Sequence, residues 1–531
     1  MTLLALIHAL VALWLAIYGL NSFILAFLYL RHRREDAPAP SPNPSTSFST
    51  GSGGGEAAPE NAAPTACPSP MGGSALPPVT VQVPVYNELH VVERVIDSVA
   101  ALDYPRERLQ IQILDDSTDG TTHLARARAA LHRERGVDIA VLRRPDRSGY
   151  KAGALTWGLS QARGEYIVIF DADFCPHPDF LLQTVPHFLA RPRLGLVQAR
   201  WSYLNADYSS LTRAQALALD GHFVVEQGGR HRSGLLMNFN GTAGVWRRRC
   251  IEECGGWQAD TLSEDLDLSY RAQLAGWECL YLPTTDAPAE LPPQIAAFKR
   301  QQSRWAQGSV QTLRKLAGPI LRSQRLKWWQ KAMALVHLSS YLAHALMLVL
   351  LLASLPLLLV PDSAPLPPGG LGLMCLGPPL VYAISQQQLY PDWGRRLRAF
   401  PLLVLIGIGI AWCNAQAVWR GLTRWGGAFA RTPKFRLEGR AGRWADSSYR
   451  LQADVSTVGE VVLMLYALVT AVVALLTEHY GVVPFMLLYA AAFGTVAGMG
   501  LAQTFAPRRS AASPRTPAGS VQRTSAGRVA R

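Results

Sequence analysis

The stretch VTVQVPV at residues 79–85 begins a change in the character of the chain. Apolar and polar residues alternate in it as they do along a β-strand, and a second such run, LQIQIL, follows at 109–114. Between them, residues 88–102 carry valine and isoleucine at helical spacing. Two more strand-like runs lie at 137–142 and 166–170. Strands and helices in turn predict an α/β domain with a mostly parallel sheet and helices on both faces.

Acidic residues follow two of these strands directly. Asp115 and Asp116 come after the second, and Asp171 and Asp173 come after the run IVIF. Ligands of parallel α/β sheets bind beyond the carboxyl ends of the strands, so we expect both motifs in one crevice. The Asp-x-Asp pair could hold Mg²⁺ or Mn²⁺ against diphosphate oxygens, because hard cations prefer oxygen ligands. Asp115 and Asp116 could bind a base or ribose, Asp116 could approach the metal, or the pair could only cap a helix.

Two basic motifs could complete a site for a diphosphate. Lys151 opens a predicted helix, where a cation and free backbone amides would suit phosphate. Gln301, Arg304 and Trp305 lie in the sequence QQSRW and combine a cation for diphosphate with an aromatic face for a sugar. Taken alone, this second motif could equally belong to a basic interfacial helix.

An acidic cluster at 263–267, SEDLD, offers a general base. Inverting transfer from a nucleotide sugar needs one carboxylate placed to take the proton of the acceptor hydroxyl. We predict that Asp265 has this role, with Glu264 and Asp267 as its competitors. Such clusters at helix starts are often only caps.

The distribution of charge points to a membrane and not to nucleic acid. The formal net charge is +13, and the cations cluster beside apolar runs as in loops that stay on the cytoplasmic side of a bilayer. The seven cysteines include no Cys-x-x-Cys spacing, which argues against a zinc site and favours reduced thiols.

Residues 1–30 are almost unbroken apolar sequence, followed by basic residues at 31–34. About 20 residues cross a bilayer, and charges that follow the apolar run indicate an anchor and not a cleaved signal peptide. Residues 31–78 are rich in Pro, Ser and Gly and predict a disordered linker. The domain at 79–320 would then be cytoplasmic.

The sequence after Trp305 returns to apolar runs. Residues 321–331 predict an interfacial helix, 332–505 a membrane region containing a basic loop at 420–457, and 506–531 a disordered basic tail. The apolar runs lie at 332–360, 371–388, 400–419, 458–477 and 481–504. If all five crossed, the basic loop and tail would face away from the cytoplasm. We therefore expect 400–419 not to cross, which leaves five spans in the chain.

The order of these motifs, DD, DxD, xED and QxxRW, resembles that of the processive family 2 glycosyltransferases, such as cellulose, hyaluronan and chitin synthases. The opening VQVPVYNE and the segments LDYPR, GYKAGA and RTPKF look most like the cellulose synthase-like branch that makes glucomannan or xyloglucan-type backbones. The resemblance covers residues 79–435. It implies a glycosyltransferase A-type, Rossmann-like domain inserted between N-terminal and C-terminal transmembrane helices.

The resemblance also implies roles for single residues. Tyr86, Asn87 and Glu88 would flank the nucleotide, Asp115 and Asp116 would bind it, Asp171 and Asp173 would hold metal and diphosphate, Asp265 would be the base, and Gln301, Arg304 and Trp305 would secure diphosphate and acceptor. Asn240 and Thr242 are weaker acceptor candidates, and Thr432 and Lys434 resemble gating-loop residues that cover the nucleotide. The family's Thr-Glu-Asp reads Ser263-Glu264-Asp265 here, and its carboxylates remain.

The sequence thus predicts a multi-pass membrane enzyme that moves a sugar from UDP-glucose or GDP-mannose to a growing β-linked polysaccharide and exports it, with Mg²⁺ or Mn²⁺. Its partners would be the donor, the glycan, the lipid bilayer and accessory export proteins. One alternative is a non-processive transferase that places one sugar on a lipid. Another is a catalytically silent membrane scaffold, against which the intact carboxylates argue.

Overall fold

The computed structural model describes residues 3–32, 76–360 and 369–507. The strands are β1 (Val79–Val85), β2 (Leu109–Asp115), β3 (Ile139–Leu142), β4 (Tyr166–Ile169), β5 (Leu194–Tyr203), β6 (Gly244–Arg247) and β7 (Glu278–Ala289). The helices up to β7 are α1 (Leu3–His32), α2 (Val92–Ala100), α3 (Thr121–Glu134), α4 (Tyr150–Ser160), α5 (Phe180–Thr184), α6 (Pro186–Leu189), α7 (Ser210–Asp220), a π-helix (Gly221–Gln227), α8 (Gly228–Arg232), α9 (Arg248–Glu253) and α10 (Glu264–Ala275).

The helices after β7 make up most of the described C-terminal part of the chain. They are α11 (Ile295–Arg322), α12 (Trp328–Leu338), α13 (Leu342–Leu359), α14 (Gly377–Leu389), α15 (Trp393–Arg396), α16 (Phe400–Gly409), α17 (Ala411–Thr423), α18 (Ser456–Leu476) and α19 (Val483–Thr504). The linker predicted at 31–78 and the tail predicted at 506–531 lie mostly outside the described residues.

The seven strands form one sheet in the order β3-β2-β1-β4-β6-β5-β7. Parallel pairs join β1 to β2 and β4, β2 to β3, and β5 to β7, and only β6 runs antiparallel to its neighbours. This confirms the predicted glycosyltransferase A-like fold with a mostly parallel sheet.

The alternation along the strands separates two buried faces of the sheet. Val168 packs with the valines of β1, while Ile167 and Ile169 pack against α4 on the other face. The polar residues of the alternation are also buried. Nε2 of Gln82 donates a hydrogen bond to Oε1 of Gln112 at 3.0 Å within the sheet, which pairs one polar atom of each buried amide.

The antiparallel β6 brings a distant segment to the end of β4. Because the two strands run in opposite directions, the start of β6 lies beside the end of β4, with Gly244 opposite Ile169. The Thr242 hydroxyl therefore reaches the backbone and accepts a hydrogen bond from the Asp171 amide at 2.9 Å. The acidic end of β4 and the FNGT segment, residues 239–242, thus form one corner of the domain.

Four of the described helices, α1, α13, α18 and α19, are long and apolar enough to cross a membrane, by length and composition. A fifth crossing would be the chain from Trp393 to Thr423, which bends by 45° between α16 and α17. The run 371–388, which we expected to cross, is a 3₁₀ turn followed by the 13-residue α14. The run 400–419, which we expected not to cross, lies in the bent pair. Prolines and glycines break both runs, and hydropathy alone does not register such breaks.

Helix α11 is tied to α18 by a buried ion pair. Lys299 of α11 donates to Glu460 of α18 at 2.7 Å, and the two side chains are 4% and 0% exposed. Removing one partner would leave the charge of the other buried and unpaired. The pair therefore holds α18 against α11 at a place where the loss of either partner is costly.

We expect Lys299→Met to destabilise the protein by about 3–5 kcal/mol, because Glu460 would remain buried without its counter-charge. The double variant Lys299→Met/Glu460→Leu should recover most of this loss, since it removes both charges. Thermal unfolding in detergent measures both. A double variant as unstable as the single one would show that packing, and not the unpaired charge, sets the cost.

Candidate active site

One pocket at the carboxyl edge of the sheet is lined by both halves of the domain, by α11 and by the loop 424–455. Most of the site residues predicted from the sequence contribute to its wall. They are Tyr86, Glu88, Asp116, Lys151, Asp171, Asp173, Asn240, Glu264, Asp265, Gln301, Arg304, Trp305, Thr432 and Lys434. The pocket thus brings together all five motifs, which are far apart in the sequence.

Three predicted residues lie beside the pocket and not on its wall. Asp115 is fully buried, accepts from Thr122 at 2.7 Å and pairs with Arg143 at 2.9 Å. Asn87, in a left-handed conformation with φ of 55°, accepts from the Thr118 amide at 2.8 Å. Thr242 supports the backbone of Asp171, as described above. The three side chains thus contact residues next to the pocket and do not line it.

Asp116 lies at one end of the pocket in a two-point ion pair. Nε and Nη2 of Arg144 reach its two oxygens at 2.8 and 2.6 Å, and both side chains are nearly buried. Arg147 stacks its guanidinium over the Tyr86 ring at 3.4 Å, and its Nε is buried with no hydrogen-bond partner among the described residues. Planar groups and unpaired donors of this kind suit a nucleobase.

Asp171 and Asp173 each hold a lysine. Oδ1 of Asp171 accepts from Lys151 at 2.6 Å, and Oδ2 of Asp173 accepts from Lys434 at 2.6 Å. The other oxygen of each carboxylate has no hydrogen-bond donor among the described residues. The described residues contain no group of three or more His, Cys, Asp or Glu side chains that could hold a metal. Two carboxylates fit Mg²⁺ or Mn²⁺ if phosphate oxygens and water supply the other ligands.

Lys151 lies among the carboxylates of the pocket. Besides Asp171, its ammonium donates to the Gly241 carbonyl at 2.9 Å and lies 4.0 Å from Glu264. Gly241 has φ of +83°, and a Cβ there would lie 2.8 Å from Oδ2 of Asp265. Only glycine leaves room for Asp265 and Lys151 to approach at this point. Burial alone would lower the pKa of Lys151, but Asp171 and Glu264 outweigh it and raise that pKa.

Glu264 and Asp265 are adjacent at the start of α10, and the acidic sequence at 263–267 indicates a helix start here. Burial raises the pKa of Glu264 to about 7, and the neighbouring charge of Asp265 adds to the effect. Burial likewise raises the pKa of Asp265, against the attraction of Lys151. Two carboxylates so close titrate as a pair. Raised values of this kind place a carboxylate near neutrality, which suits a general base.

We expect sugar transfer to fall on acidification at a pH above the ordinary carboxylate value of about 4, because burial raises the pKa of Asp265. Protonation of Asp265 removes the base, so activity requires the high-pH form. The rate of donor turnover measured from pH 3 to 9 tests this, with donor binding measured at each pH as the control. A loss of turnover only at or below pH 4 would contradict it.

Helix α11 and the loop 424–455 form the far wall. Arg304 donates to the Ala430 carbonyl at 3.3 Å and lies 4.2 Å over the ring of Phe429. Arg431 reaches Glu88 at 3.9 Å. Burial raises the pKa of Glu88 to about 8, against the attraction of Arg431. The loop therefore covers the pocket through contacts with both the first strand end and α11.

Several lining residues were not predicted as site residues, although Tyr150 and Arg431 lie in the segments GYKAGA and RTPKF. They are Arg147, Tyr150, Glu290, Phe429 and Arg431. The basic run RRPDR at 143–147, directly after β3, was a signal for a cationic strand end that could have been used. Glu290 and Phe429 carry no local signal, because their contacts depend on how the loop folds back.

Comparison with known proteins shows which families the sequence resembles. Residues 77–308 match the sequence model of a family described as "Glycosyltransferase like family 2". Glucomannan 4-beta-mannosyltransferase 2 of Arabidopsis thaliana is 43% identical over 265 residues, which are 49% of this chain and 50% of that protein. Glucomannan 4-beta-mannosyltransferase 1 of Oryza sativa subsp. japonica is 42% identical over 265 residues, 49% of this chain and 51% of that protein. The chain spans about half the length of these curated relatives.

Among solved structures, the mannosyltransferase PcManGT of Pyrobaculum calidifontis, in complex with GDP-Man and Mn²⁺, aligns with 79% of this chain and 99% of its own at 21% identity and a TM-score of 0.48. The sequence matches confirm the predicted resemblance to the glucomannan-synthesising, cellulose synthase-like branch over about half of the chain. The residues that match the family 2 glycosyltransferase model, 77–308, include most of those that line the pocket.

Proposed function

We propose that this protein is a membrane-embedded, metal-dependent, inverting glycosyltransferase that extends a β-linked polysaccharide. The names of the curated relatives favour a mannosyl donor, GDP-mannose, over UDP-glucose, and a β-1,4 linkage. One observation carries the proposal: a single pocket gathers the acidic pair Glu264 and Asp265, the strand-end carboxylates Asp171 and Asp173, and the cation Arg304.

The residues divide the chemistry among them. The Asp265 carboxylate takes the proton of the acceptor hydroxyl as its oxygen forms a bond to the anomeric carbon. The bond from that carbon to the diphosphate breaks, and the nucleoside diphosphate leaves with the electron pair. Arg304 and Lys151 present positive charge where this negative charge develops. A divalent ion held by Asp171 and Asp173 would add a Lewis acid at the diphosphate.

The position of the loop 424–455 constrains the path through the membrane. The loop contacts the domain at Glu88 and Asp119, so it lies on the domain's side of the bilayer. If α13 crosses away from that side, the chain must cross back before residue 424. The bent pair α16 and α17, preceded by α15, has the length and composition for this crossing, which the 13-residue α14 lacks. Five spans result, with the domain, the basic loop and the tail on the cytoplasmic side.

Polar side chains continue from the pocket towards the membrane helices. Oδ1 of Asn240, on the pocket wall, accepts a hydrogen bond from Nε2 of His222 at 3.1 Å, and Nδ1 of His222 lies 2.9 Å from Glu226. On the adjacent α11, Gln302 accepts from Tyr341 at 3.1 Å. Hydroxyl-rich glycans bind to such donors and acceptors beside aromatic rings. This arrangement supports a route by which the growing chain leaves the pocket, so that synthesis is coupled to export.

The test uses the purified full chain in lipid nanodiscs with Mn²⁺ and labelled GDP-mannose or UDP-glucose in separate reactions. We expect a polymer from GDP-mannose that an endo-β-1,4-mannanase degrades. A glucanase-sensitive polymer from UDP-glucose would change the donor and keep the reaction class. A single sugar on lipid would replace the proposal with the non-processive alternative.

The Asp265→Asn protein, prepared in the same way, is the matched control for contaminating activity. Donor hydrolysis and polymer formation should both be absent from it. Absence of both from the unaltered protein, with every donor tried, would favour the silent-scaffold alternative.

A further inference from the structure

The segment 434–438 of the loop places the Lys434 ammonium beside one of the two strand-end carboxylates. Nζ of Lys434 lies 2.6 Å from Oδ2 of Asp173 and 2.9 Å from the Glu290 carbonyl. Both side chains of the ion pair are about 10% exposed. The ammonium is therefore a bound cation at the carboxylate that would hold a divalent ion.

Glu290 holds this segment in place. Its buried carboxylate accepts hydrogen bonds from the amides of Phe435 at 2.7 Å and Leu437 at 3.2 Å. Arg94 links the same carboxylate, at 3.4 Å, to Glu438 of the segment, at 3.0 Å. These contacts hold the residues that follow Lys434, and the Lys434–Asp173 ion pair adds to them.

From these contacts we infer that Glu290 is a positioning residue that docks segment 434–438 over the donor pocket, and that the Lys434 ammonium and a divalent cation compete for Asp173. A divalent ion within bonding distance of Asp173 would lie within a few ångströms of the ammonium, where two positive charges repel strongly. Binding of the ion must therefore move Lys434 away from Asp173. In the absence of donor, Lys434 serves as the built-in counter-ion of the site.

This competition has a consequence for the order of events. An ion alone must displace Lys434 and loosen the docked segment, whereas an ion that arrives with a diphosphate brings negative charge to which the released ammonium can pair. The inference therefore predicts weak binding of the free ion and a loop that opens when the free ion binds.

The inference rests on the proposed function for its metal, and its test reads ion binding without any turnover. Full-length protein in nanodiscs, free of nucleotide, is titrated with Mn²⁺, and free Mn²⁺ is measured by electron paramagnetic resonance. We expect Lys434→Met to bind Mn²⁺ about tenfold more tightly than the unaltered protein, because it removes a competing charge that is partly screened. Lys434→Arg keeps the charge and should bind Mn²⁺ as weakly as the unaltered protein.

Glu290→Gln tests the positioning role. It should tighten Mn²⁺ binding while Lys434 is present and have no further effect in Lys434→Met, because the two changes act through one contact. A second readout is trypsin cleavage within the loop at Arg436 or Arg440. Mn²⁺ alone should speed cleavage of the unaltered protein and leave the already faster cleavage of Lys434→Met unchanged.

The control is Arg443→Met, which removes a charge from the same loop but from a surface pair with Asp446. Equal tightening in Arg443→Met, or no tightening in Lys434→Met, would overturn the inference, as would no Mn²⁺ binding to any variant. If these results hold but no sugar is transferred from any donor, the proposed function fails and the competition at Asp173 stands.

Discussion

Replacing Asp265 with Asn is expected to abolish sugar transfer while donor binding survives. The substitution keeps the size of the side chain, and an amide oxygen can still accept the hydrogen bond that Oδ1 of Asp265 takes from the Leu266 amide at 2.8 Å. It removes the carboxylate that would take the acceptor proton. Loss of a general base lowers a rate by about 10²- to 10⁴-fold, so turnover should fall below detection for a slow polymerase.

The measurement pairs polymer formation with binding of a labelled donor to the same preparation. Asp267→Asn is the matched control, because Asp267 is the third carboxylate in the same turn of α10. Asp267 is fully buried and pairs with Arg271 at 2.7 Å and Lys315 at 3.0 Å. Its loss should lower thermal stability more than it lowers the rate per folded molecule. Polymer formation by Asp265→Asn would refute the assignment of the base.

Most of the sheet and of the pocket followed from local pattern. Each strand that carries an acidic end was visible as alternating or continuous apolar sequence, and the end of a parallel strand is fixed at one edge of the sheet. Asp171, Asp173 and Asp116 could therefore be placed together without coordinates. Asp265 could be assigned to the same pocket only through the resemblance to a known family, because an acidic helix start does not by itself indicate where in the fold it lies.

The rest depended on contacts between distant segments. That Asp115 faces away from the pocket follows from Arg143 and Thr122, which approach it from β3 and α3. Glu290 contacts the loop, but in the sequence it is a single acidic residue after a strand, and nothing near it indicates that contact. The crossing that we propose at 400–419 in place of 371–388 has a similar cause. Breaks at proline and glycine and the docking of the loop decide it, and mean hydropathy does not contain either.

The second large effect is expected from Arg304→Met. Arg304 is the cation of the pocket that is held from two sides, by the Ala430 carbonyl at 3.3 Å and by the Phe429 ring at 4.2 Å. Because negative charge on the diphosphate grows as the sugar leaves, a fixed guanidinium stabilises the transition state more than the bound donor. We expect turnover to fall by about 10²- to 10³-fold, with a smaller rise in the KM for the donor.

Two further variants separate this role from simple support of the loop. Arg304→Lys should recover part of the rate, since it restores a charge but not the planar fork. Arg314→Met is the matched control on the same helix, because Arg314 also stacks on a loop aromatic, Trp425 at 4.1 Å, and donates to a backbone carbonyl, that of Gly421 at 2.8 Å. Arg314 does not line the pocket, so its loss should remove a loop contact and leave turnover within a few-fold. If Arg314→Met lowered turnover as far as Arg304→Met, the arginines of α11 would serve to hold the loop, and the stabilisation of the leaving diphosphate would have to come from Lys151 and the metal-binding carboxylates alone.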